Sequence, residues 1–226
     1  YKKYANFVAK ELKKHNVSTV LELGCGSGLY LFPLKRANFE IEGLDISKEM
    51  LSLARKQDKK IKLYKRDMSN FKINKKYDAI LCLNSSLVLL PNFSKIKKTL
   101  TLCYKHLNKG GLLMLDLPNH SKEIKESNFS QEIGTYKVPK GKMDVIFREY
   151  KKGNKWISSW KGFVKQGKKY EEFHEYYEEL IYNPKEFEKT VKKQGFEILK
   201  IFGSRSGEKF NSKNSYRRFY LCKKKG

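Results

Sequence analysis

The stretch of sequence that decides the fold reads Val20-Leu21-Glu22-Leu23-Gly24-Cys25-Gly26-Ser27-Gly28. The short apolar run Thr19 to Leu23 predicts a strand, and Leu29 to Ala37 predicts the helix that follows it. The glycines between them allow a tight turn and a close approach of the backbone to a ligand. A dinucleotide-binding turn would have its third glycine at position 29, where this chain has Leu29. The stretch therefore predicts a ligand-binding turn of a different kind.

An acidic residue ends the second predicted strand. Asp45 follows the apolar run Phe39 to Leu44 and lies 17 residues after Gly28. A carboxylate in this place can accept hydrogen bonds from both ribose hydroxyls of an adenosine. Asp45 could instead cap the next helix, but Ser47 is available for that role. We therefore assign Asp45 to ligand binding and Ser47 to the helix.

Predicted strands and helices alternate over the first half of the chain. Beyond the elements above, helical patterns cover residues 1–16, 48–57 and 94–106, and apolar strand patterns cover residues 61–64, 77–83 and 112–117. This order predicts βαβ units and therefore an α/β fold with a parallel sheet.

The pattern changes after about residue 130. Three β-segments at 143–150, 156–166 and 170–182 indicate an antiparallel meander, and a helix at 184–194 and strands at 196–202 and 216–222 follow. The last two strands predict an antiparallel pair at the edge of the parallel sheet. We expect one domain made of residues 1–130 and 184–226, with residues 131–183 inserted as an antiparallel β subdomain.

The net charge of the chain is +25, which suggests a polyanionic partner such as RNA. Only seven of the 49 basic residues are arginine, the residue preferred for bidentate recognition of phosphates and bases. The lysines are scattered through every segment, as a Lys- and Asn-rich coding bias would also leave them. Nucleic-acid binding stays open at this point.

Other features narrow the class of protein. The four cysteines form no CxxC pair, so buried thiols in a reducing cytosol are expected, and the four histidines cluster neither with them nor with each other. We therefore expect no metal site. No apolar run approaches the ~20 residues that span a bilayer. The expectation is a cytoplasmic protein with no membrane partner.

Over residues 19–118 the motifs resemble class I S-adenosylmethionine-dependent methyltransferases, including the lead-in Leu107-Asn108-Lys109-Gly110-Gly111. The resemblance implies a Rossmann-like fold: a seven-stranded, mostly parallel sheet with an inserted antiparallel β meander. It implies S-adenosylmethionine as cofactor and S-adenosylhomocysteine as product. Glu22 would help to bind the cationic methionyl end, and Asp67 the adenine amino group. The residues expected to bind the cofactor are Glu22, Gly24, Cys25, Gly26, Gly28, Asp45, Ile46, Met50, Asp67, Met68 and Leu83.

The sequence around Asn84, at the end of the fourth predicted strand, separates the branches of this family. It lacks the Asn/Asp-Pro-Pro-aromatic motif of enzymes that methylate adenine or glutamine, and Cys82 and Cys103 lie inside predicted elements rather than where a cytosine-attacking thiol would be. The Asp of ribose 2′-O enzymes and the paired carboxylates of the catechol type are also absent. The chain most resembles the small-molecule N-methyltransferases, whose β meander residues 143–182 fit.

The resemblance implies direct methyl transfer to a neutral amine, in which alignment supplies much of the rate. His120, after the fifth strand, is the best-placed candidate base, and Asn84 stands at the reacting centre. The residues expected to contact the substrate are Tyr4, Ser85, His174 and Tyr176. Each has a structural alternative, namely core packing for Tyr4, a surface or packing role for the histidines, and a half-buried sheet face for the aromatics.

Two other functions remain open from the sequence. An RNA methyltransferase, such as one that acts on tRNA, would use the lysine-rich surface to dock its substrate. A non-catalytic cofactor-binding subunit of a larger methylation complex would carry the same glycine turn. The sequence predicts neither the identity of the acceptor nor the oligomeric state.

Overall fold

A computed structural model describes residues 2–126, 129–138, 141–166 and 169–226. The chain divides into two compact units, Tyr1–Asn119 together with Asn183–Gly226, and His120–Tyr182. The second unit begins before the boundary expected at residue 131, because helix α5, which starts at His120, groups with the inserted strands.

The first unit is built on a seven-stranded sheet. Its strands are β1 Thr19–Leu23, β2 Glu40–Asp45, β3 Leu63–Lys65, β4 Tyr77–Cys82, β5 Leu107–Pro118, β10 Phe196–Phe202 and β11 Arg217–Lys224. Their order is β10-β11-β5-β4-β1-β2-β3. Strands β5 to β3 pair in parallel, and β11 pairs antiparallel with both β5 and β10. The predicted seven-stranded, mostly parallel sheet with an antiparallel edge is confirmed.

Helices of the first unit pack their apolar sides against this sheet. They are α1 Lys2–Lys14, α2 Leu31–Arg36, α3 Lys48–Gln57, α4 Phe93–His106 and α6 Pro184–Lys193, with a short 3-10 helix at Ser86–Leu89. Ser47 caps α3 as predicted, since its hydroxyl accepts a hydrogen bond from the Met50 amide at 3.1 Å. All residues of β1 and β4 are buried except Thr19 and Asp78, which are partly buried, as expected for central parallel strands.

The topology fixes where a ligand can bind. The chain runs from β1 outward to β2 and β3, and then returns to place β4 on the other side of β1. Ligands of open α/β sheets bind beyond the carboxyl ends of the strands at this reversal. The predicted glycine turn and the segments that follow β2 and β4 all lie at this edge of the sheet.

The second unit is an antiparallel sheet of four strands in sequential order. These are β6 Phe129–Val138, β7 Gly141–Lys152, β8 Lys155–Gln166 and β9 Lys169–Leu180, and helix α5 His120–Glu126 precedes them. The sequence predicted three of these strands and missed β6. Its apolar side chains Phe129 and Ile133 are 55% and 75% exposed, so no pattern of burial marks this edge strand.

No helix in the described parts of the chain combines the length and apolar character needed to cross a bilayer. Over the same residues, no group of three or more His, Cys, Asp or Glu side chains is arranged to hold a metal ion.

Gly43 on β2 allows a test of how tightly the residues beneath the glycine turn are packed. A Cβ at this position would lie 2.6 Å from Leu31 Cδ1, 2.7 Å from Cys25 Sγ and 2.9 Å from Leu63 Cδ2. Gly43→Ala should lower the free energy of unfolding by ~1–3 kcal/mol, because the buried neighbours cannot all move away. Urea denaturation measures this. Gly226→Ala is the control, since its Cβ would meet the end of the flexible Lys109 side chain; equal stability losses in both variants would contradict the prediction.

Candidate active site

The glycine turn has the backbone conformation that its sequence predicts. Gly24, Gly26 and Gly28 have φ of +66°, +53° and +90°, a region that favours glycine. The Cys25 amide donates to Leu44 O at 3.0 Å, which ties the turn to β2. A Cβ on Gly26 would have no neighbour within 4 Å. The turn is therefore held on its sheet side and open on the other.

Glu22, on β1 just before the turn, is a buried carboxylate with an unusual environment. Its residue is 2% exposed, and Oε2 has no hydrogen-bond partner among the described residues. Burial, and then the negative charge of Asp45, raise the pKa of Glu22 to about 8. A buried carboxyl without a partner is costly unless a ligand supplies one. Its location favours a ligand group with positive charge.

Asp45 closes β2 opposite the glycine turn. Its Oδ2 accepts a hydrogen bond from the Gly26 amide at 2.8 Å, and its Oδ1 accepts one from the Ser47 amide at 2.9 Å. Each carboxylate oxygen has a further lone pair that can accept from a hydroxyl. Beside it, Ile46 and Met50 are 68% and 44% exposed, so they form an uncovered apolar surface that a flat ring can contact.

The segment after β3 is a hydrogen-bonded turn. Asp67 Oδ1 accepts from the Ser69 amide at 2.7 Å and from the Ser69 hydroxyl at 2.9 Å. These bonds give Asp67 a structural role in a turn, and the expected adenine contact of Asp67 remains a prediction. Met68 lies next to the glycine turn, where its Cε would be 3.3 Å from a Cβ on Gly24. Leu83, the other expected contact, is buried.

Asn84 and Ser85 follow β4 in a conformation rare for residues other than glycine. Their φ values are +53° and +64°, so both are left-handed. Asp116, near the end of β5, holds them there: its Oδ2 accepts from the Asn84 amide at 3.1 Å and its carbonyl accepts from the Ser85 amide at 3.0 Å. Strained backbone held by a buried charge is typical of functional sites.

Two arginines complete this cluster. Arg217 donates to Asp116 Oδ1 from Nε at 2.8 Å and to Ser85 Oγ from a terminal nitrogen at 3.0 Å. Arg205 donates to Asn84 Oδ1 at 2.5 Å and stacks over the ring of Tyr4, 5.4 Å from its centroid. The predicted residues Tyr4, Asn84 and Ser85 are thus brought together.

Asp116, Arg205 and Arg217 are site residues that sequence reasoning missed. One signal was available for Asp116, the only charged residue in the apolar run Leu112 to Leu117. A lone charge in a buried strand is rarely left unpaired and often marks a site. No local pattern could have found its arginine partners, which lie 89 and 101 residues further along the chain.

The second unit contains the other predicted site residues, and it does not bring them together. His120 is buried at the start of α5, with Nε2 2.9 Å from Glu179 Oε2. His174 and Tyr176 lie on β9 with the opposite parity to Glu179, so they point to the other face of the sheet. His174 there meets Ser159 Oγ at 3.2 Å. His120 therefore does not share a face with His174 and Tyr176.

None of the four cysteines is placed as a nucleophile. All four are free and buried. Burial raises the pKa of each thiol, to about 12 for Cys103. A thiol with so high a pKa supplies almost no thiolate at neutral pH.

The fold is a Rossmann-like α/β fold, and the groups at its switch point are of the kind that suit a nucleoside. Residues 20–111 match the family model described as a methyltransferase domain. The structure is similar to a crystal structure of an S-adenosylmethionine-dependent methyltransferase from Clostridium acetobutylicum ATCC 824. The TM-score is 0.87 and the sequence identity 26%, over 100% of this chain and 92% of that one.

Two curated relatives are similar over part of their length. The glycine/sarcosine N-methyltransferase of Halorhodospira halochloris is 34% identical over 53% of this chain and 47% of its own length. The dTDP-3-amino-3,6-dideoxy-alpha-D-glucopyranose N,N-dimethyltransferase of Streptomyces fradiae is 25% identical, over 51% of this chain and 46% of its own. The matched region thus spans about half the length of each. The family match over residues 20–111 and the similarity of the whole fold together support a class I S-adenosylmethionine-dependent methyltransferase.

The residues present fit this cofactor. The buried, unpartnered Glu22 oxygen suits the ammonium of the methionyl end, and Asp45 suits the ribose hydroxyls. The open side of Gly26 leaves room for a ligand against the backbone. The exposed Ile46 and Met50 side chains suit the adenine ring.

Cofactor binding should release a proton from Glu22. In the ligand-free protein the pKa of about 8 keeps this carboxyl protonated at pH 7, and a cation beside it lowers that pKa. Calorimetry at pH 7 in buffers of different ionisation enthalpy should show release of about one proton. Glu22→Gln should abolish this release and weaken binding, and Glu40→Gln, at an exposed carboxylate on β2, is the control. Equal proton release by wild type and Glu22→Gln would contradict the assignment.

The same group affects stability in a defined pH window. The folded pKa of Glu22 lies above the ordinary value of 4.5, so the folded state holds a proton that the unfolded state loses. The contribution of Glu22 to the free energy of unfolding is full below pH 4.5 and falls as the pH rises to about 8. Glu22→Gln should remove this decline, which denaturation across the window can measure.

Asp45→Asn should weaken cofactor binding by ~1–3 kcal/mol, because a charged acceptor of the ribose hydroxyls is lost. The amide keeps one oxygen acceptor for the turn, so the variant should fold. Isothermal titration calorimetry with S-adenosylmethionine measures the effect. Asp58→Asn, at the other end of α3, is the matched control. An affinity unchanged from wild type would remove Asp45 from the site.

Proposed function

We propose that this methyltransferase transfers the methyl group of S-adenosylmethionine directly to the nitrogen of a small-molecule amine. The observation that carries the proposal is the chemistry of the residues after β4. Asn84 and Ser85 are neutral and polar, and the nearby thiols are buried with raised pKa values. The described residues offer no nucleophile to carry the methyl group, so the acceptor must supply its own.

Both curated relatives support nitrogen as the acceptor atom. One is named for methylation of glycine and sarcosine, and the other for methylation of an amino group on a nucleotide sugar.

The residues of this chain would bind, orient and fix the reactants. Bound S-adenosylmethionine supplies a methyl group already activated on a sulfonium, so alignment and desolvation can provide most of the rate. Glu22 and Asp45 would hold the two ends of the cofactor. Asn84 and Ser85, fixed by Asp116, would present a rigid polar surface to the acceptor.

The acceptor amine must be neutral when its lone pair attacks the methyl carbon. S-adenosylhomocysteine then leaves with the electrons of the broken C–S bond, and the alkylammonium product releases its proton to a base or to water. His120 stays a prediction as the base that takes it. Its Nε2 is within hydrogen-bond distance of Glu179, a carboxylate that can orient the ring.

The RNA alternative rests on the net charge of +25. The two candidates differ in their dependence on salt. Binding through many phosphates should fall ~10³-fold or more between 50 and 200 mM salt. Methylation of a small amine should change little over this range.

Transfer of a radiolabelled methyl group tests the proposal. The purified chain is incubated with labelled S-adenosylmethionine and, separately, with glycine, sarcosine, a dTDP-amino sugar and bulk tRNA. We expect label in at least one small amine, at a rate that is insensitive to salt, and none in tRNA. Label in tRNA alone would overturn the proposal in favour of the RNA enzyme. Cofactor binding with no labelled product in any arm would favour the non-catalytic subunit.

A further inference from the structure

Arg205 lies in the loop between β10 and β11 and reaches the residues that follow β4. One terminal nitrogen donates to Asn84 Oδ1 at 2.5 Å, and Nε donates to Asp116 Oδ2 at 3.4 Å. Its guanidinium covers the ring of Tyr4, which is itself buried. Yet the Arg205 side chain remains 37% exposed. Arg205 is therefore anchored on one side and accessible on the other.

The hydrogen bonds of Arg205 leave part of its fork unused. A guanidinium has five N–H donors in a fixed plane. Two have the partners given above, and the other three have none among the residues that the structure describes. The buried stacking on Tyr4 fixes the plane of the group, so these donors are oriented in advance.

The local charge favours an anion. Asp116 is fully buried and pairs with both arginines, with Arg217 2.7 Å from its Oδ1. Two guanidinium groups therefore share this carboxylate. Asp116 Oδ1 accepts a hydrogen bond from Arg217, and Oδ2 accepts hydrogen bonds from Asn84 and Arg205. Because three donors share this one carboxylate, it neutralises the charge of Arg205 only in part.

An open cleft of about 510 Å³ adjoins the cluster within the first unit. The charged side chains that line it are Arg205, Glu208, Lys209 and Arg217, three cations and one anion. The loop that forms the cleft is ordered by its own hydrogen bonds, such as that from the Gly203 amide to Glu208 O at 2.7 Å. The cleft has the size and the sign of charge for the anionic part of a small molecule.

We propose that Arg205 is a specificity-determining residue that binds an anionic group, a carboxylate or a phosphate, on the methyl acceptor. The planar fork matches the two oxygens that either group presents. The proposal names the substrate class of the reaction proposed above and rests on it for the chemistry. Arg205 also donates a hydrogen bond to Asn84. The experiments must therefore distinguish anion binding by Arg205 from a role limited to positioning Asn84.

Anion binding is tested first, without turnover. Titrations of inorganic phosphate and of acetate into the free protein are compared for wild type, Arg205→Gln, Arg205→Lys and the control Arg55→Gln, at an exposed arginine of α3. We expect millimolar binding of at least one anion by wild type and control. Arg205→Gln should weaken it ~10-fold or more, and Arg205→Lys less, because the charge remains but the fork is lost.

Thermal unfolding and S-adenosylmethionine binding are measured on the same proteins. Both should be near the wild-type values in Arg205→Lys, which keeps the charge beside Asp116 even if Arg205→Gln folds poorly. Failure of wild type to bind S-adenosylmethionine would overturn the proposed function. The anion titrations need no cofactor, so they would still test whether Arg205 binds an anion. Failure of wild type to bind either anion, or equal anion binding in wild type and Arg205→Gln, would overturn the role of Arg205.

Kinetics with matched acceptors then distinguish carboxylate from phosphate. Glycine is compared with glycinamide, and O-phosphoethanolamine with ethanolamine. In wild type the anionic member of one pair should be the better acceptor. Arg205→Gln should raise its KM ~10–100-fold and change the KM of the neutral member little. The pair that responds identifies the anion. An equal loss of kcat for both members, with KM unchanged, would show that Arg205 only positions Asn84 and would overturn the proposal.

Discussion

The buried carboxylate of Asp116 is the interaction on which the active-site end of the sheet depends. It accepts from the Asn84 amide, from Arg217 and from Arg205, and so joins the end of β4 to the loop and strand of the C-terminal hairpin. A charge with no exposed surface is stable only when paired and hydrogen-bonded in this way. Removing Asp116 would leave both arginines without this carboxylate and the Asn84 amide without its acceptor. The left-handed backbone at Asn84 and Ser85 persists because this network over-determines it.

Glu22 is the second buried carboxylate of the site, and it differs from Asp116 in one respect. Asp116 meets two arginines, whereas Glu22 has an unpartnered oxygen and faces the negative charge of Asp45. Burial and the charge of Asp45 raise the pKa of Glu22 to about 8. A cationic ligand beside this carboxyl would lower that pKa, and the favourable interaction would add to the free energy of ligand binding. The carboxylate of Asp116 is thus paired within the protein, whereas Glu22 Oε2 has no partner among the described residues and is expected to meet the cofactor. Asp116 therefore holds the backbone after β4 in place, whereas Glu22 is expected to bind the ligand.

Local signals in the sequence predicted what local physics determines. The glycine turn, the Ser47 cap and the parallel core follow from patterns a few residues long, and all are present. The partners of Asp116 could not be predicted, because the hairpin meets β5 only through pairing of distant strands. Strand β6 was not predicted, because its apolar side chains Phe129 and Ile133 are exposed and leave no pattern of burial in the sequence. Side chains alternate between the two faces of a regular strand. Once β9 is known to be one regular strand, the even numbers of His174 and Tyr176 place them on the face opposite Glu179.

The arginines are a better guide to function here than the net charge. Lysines produce most of the +25, and a lysine can stay hydrated on any surface without a partner. Three of the seven arginines, by contrast, fall between residues 205 and 218, and each is placed by a ring or a carboxylate. Arg218 stacks over Phe210 at 4.3 Å, Arg217 bonds Asp116, and Arg205 stacks over Tyr4. Arg205 combines a plane fixed by Tyr4 with a side chain that is 37% exposed. We therefore expect one oriented group, rather than the total charge, to select the substrate.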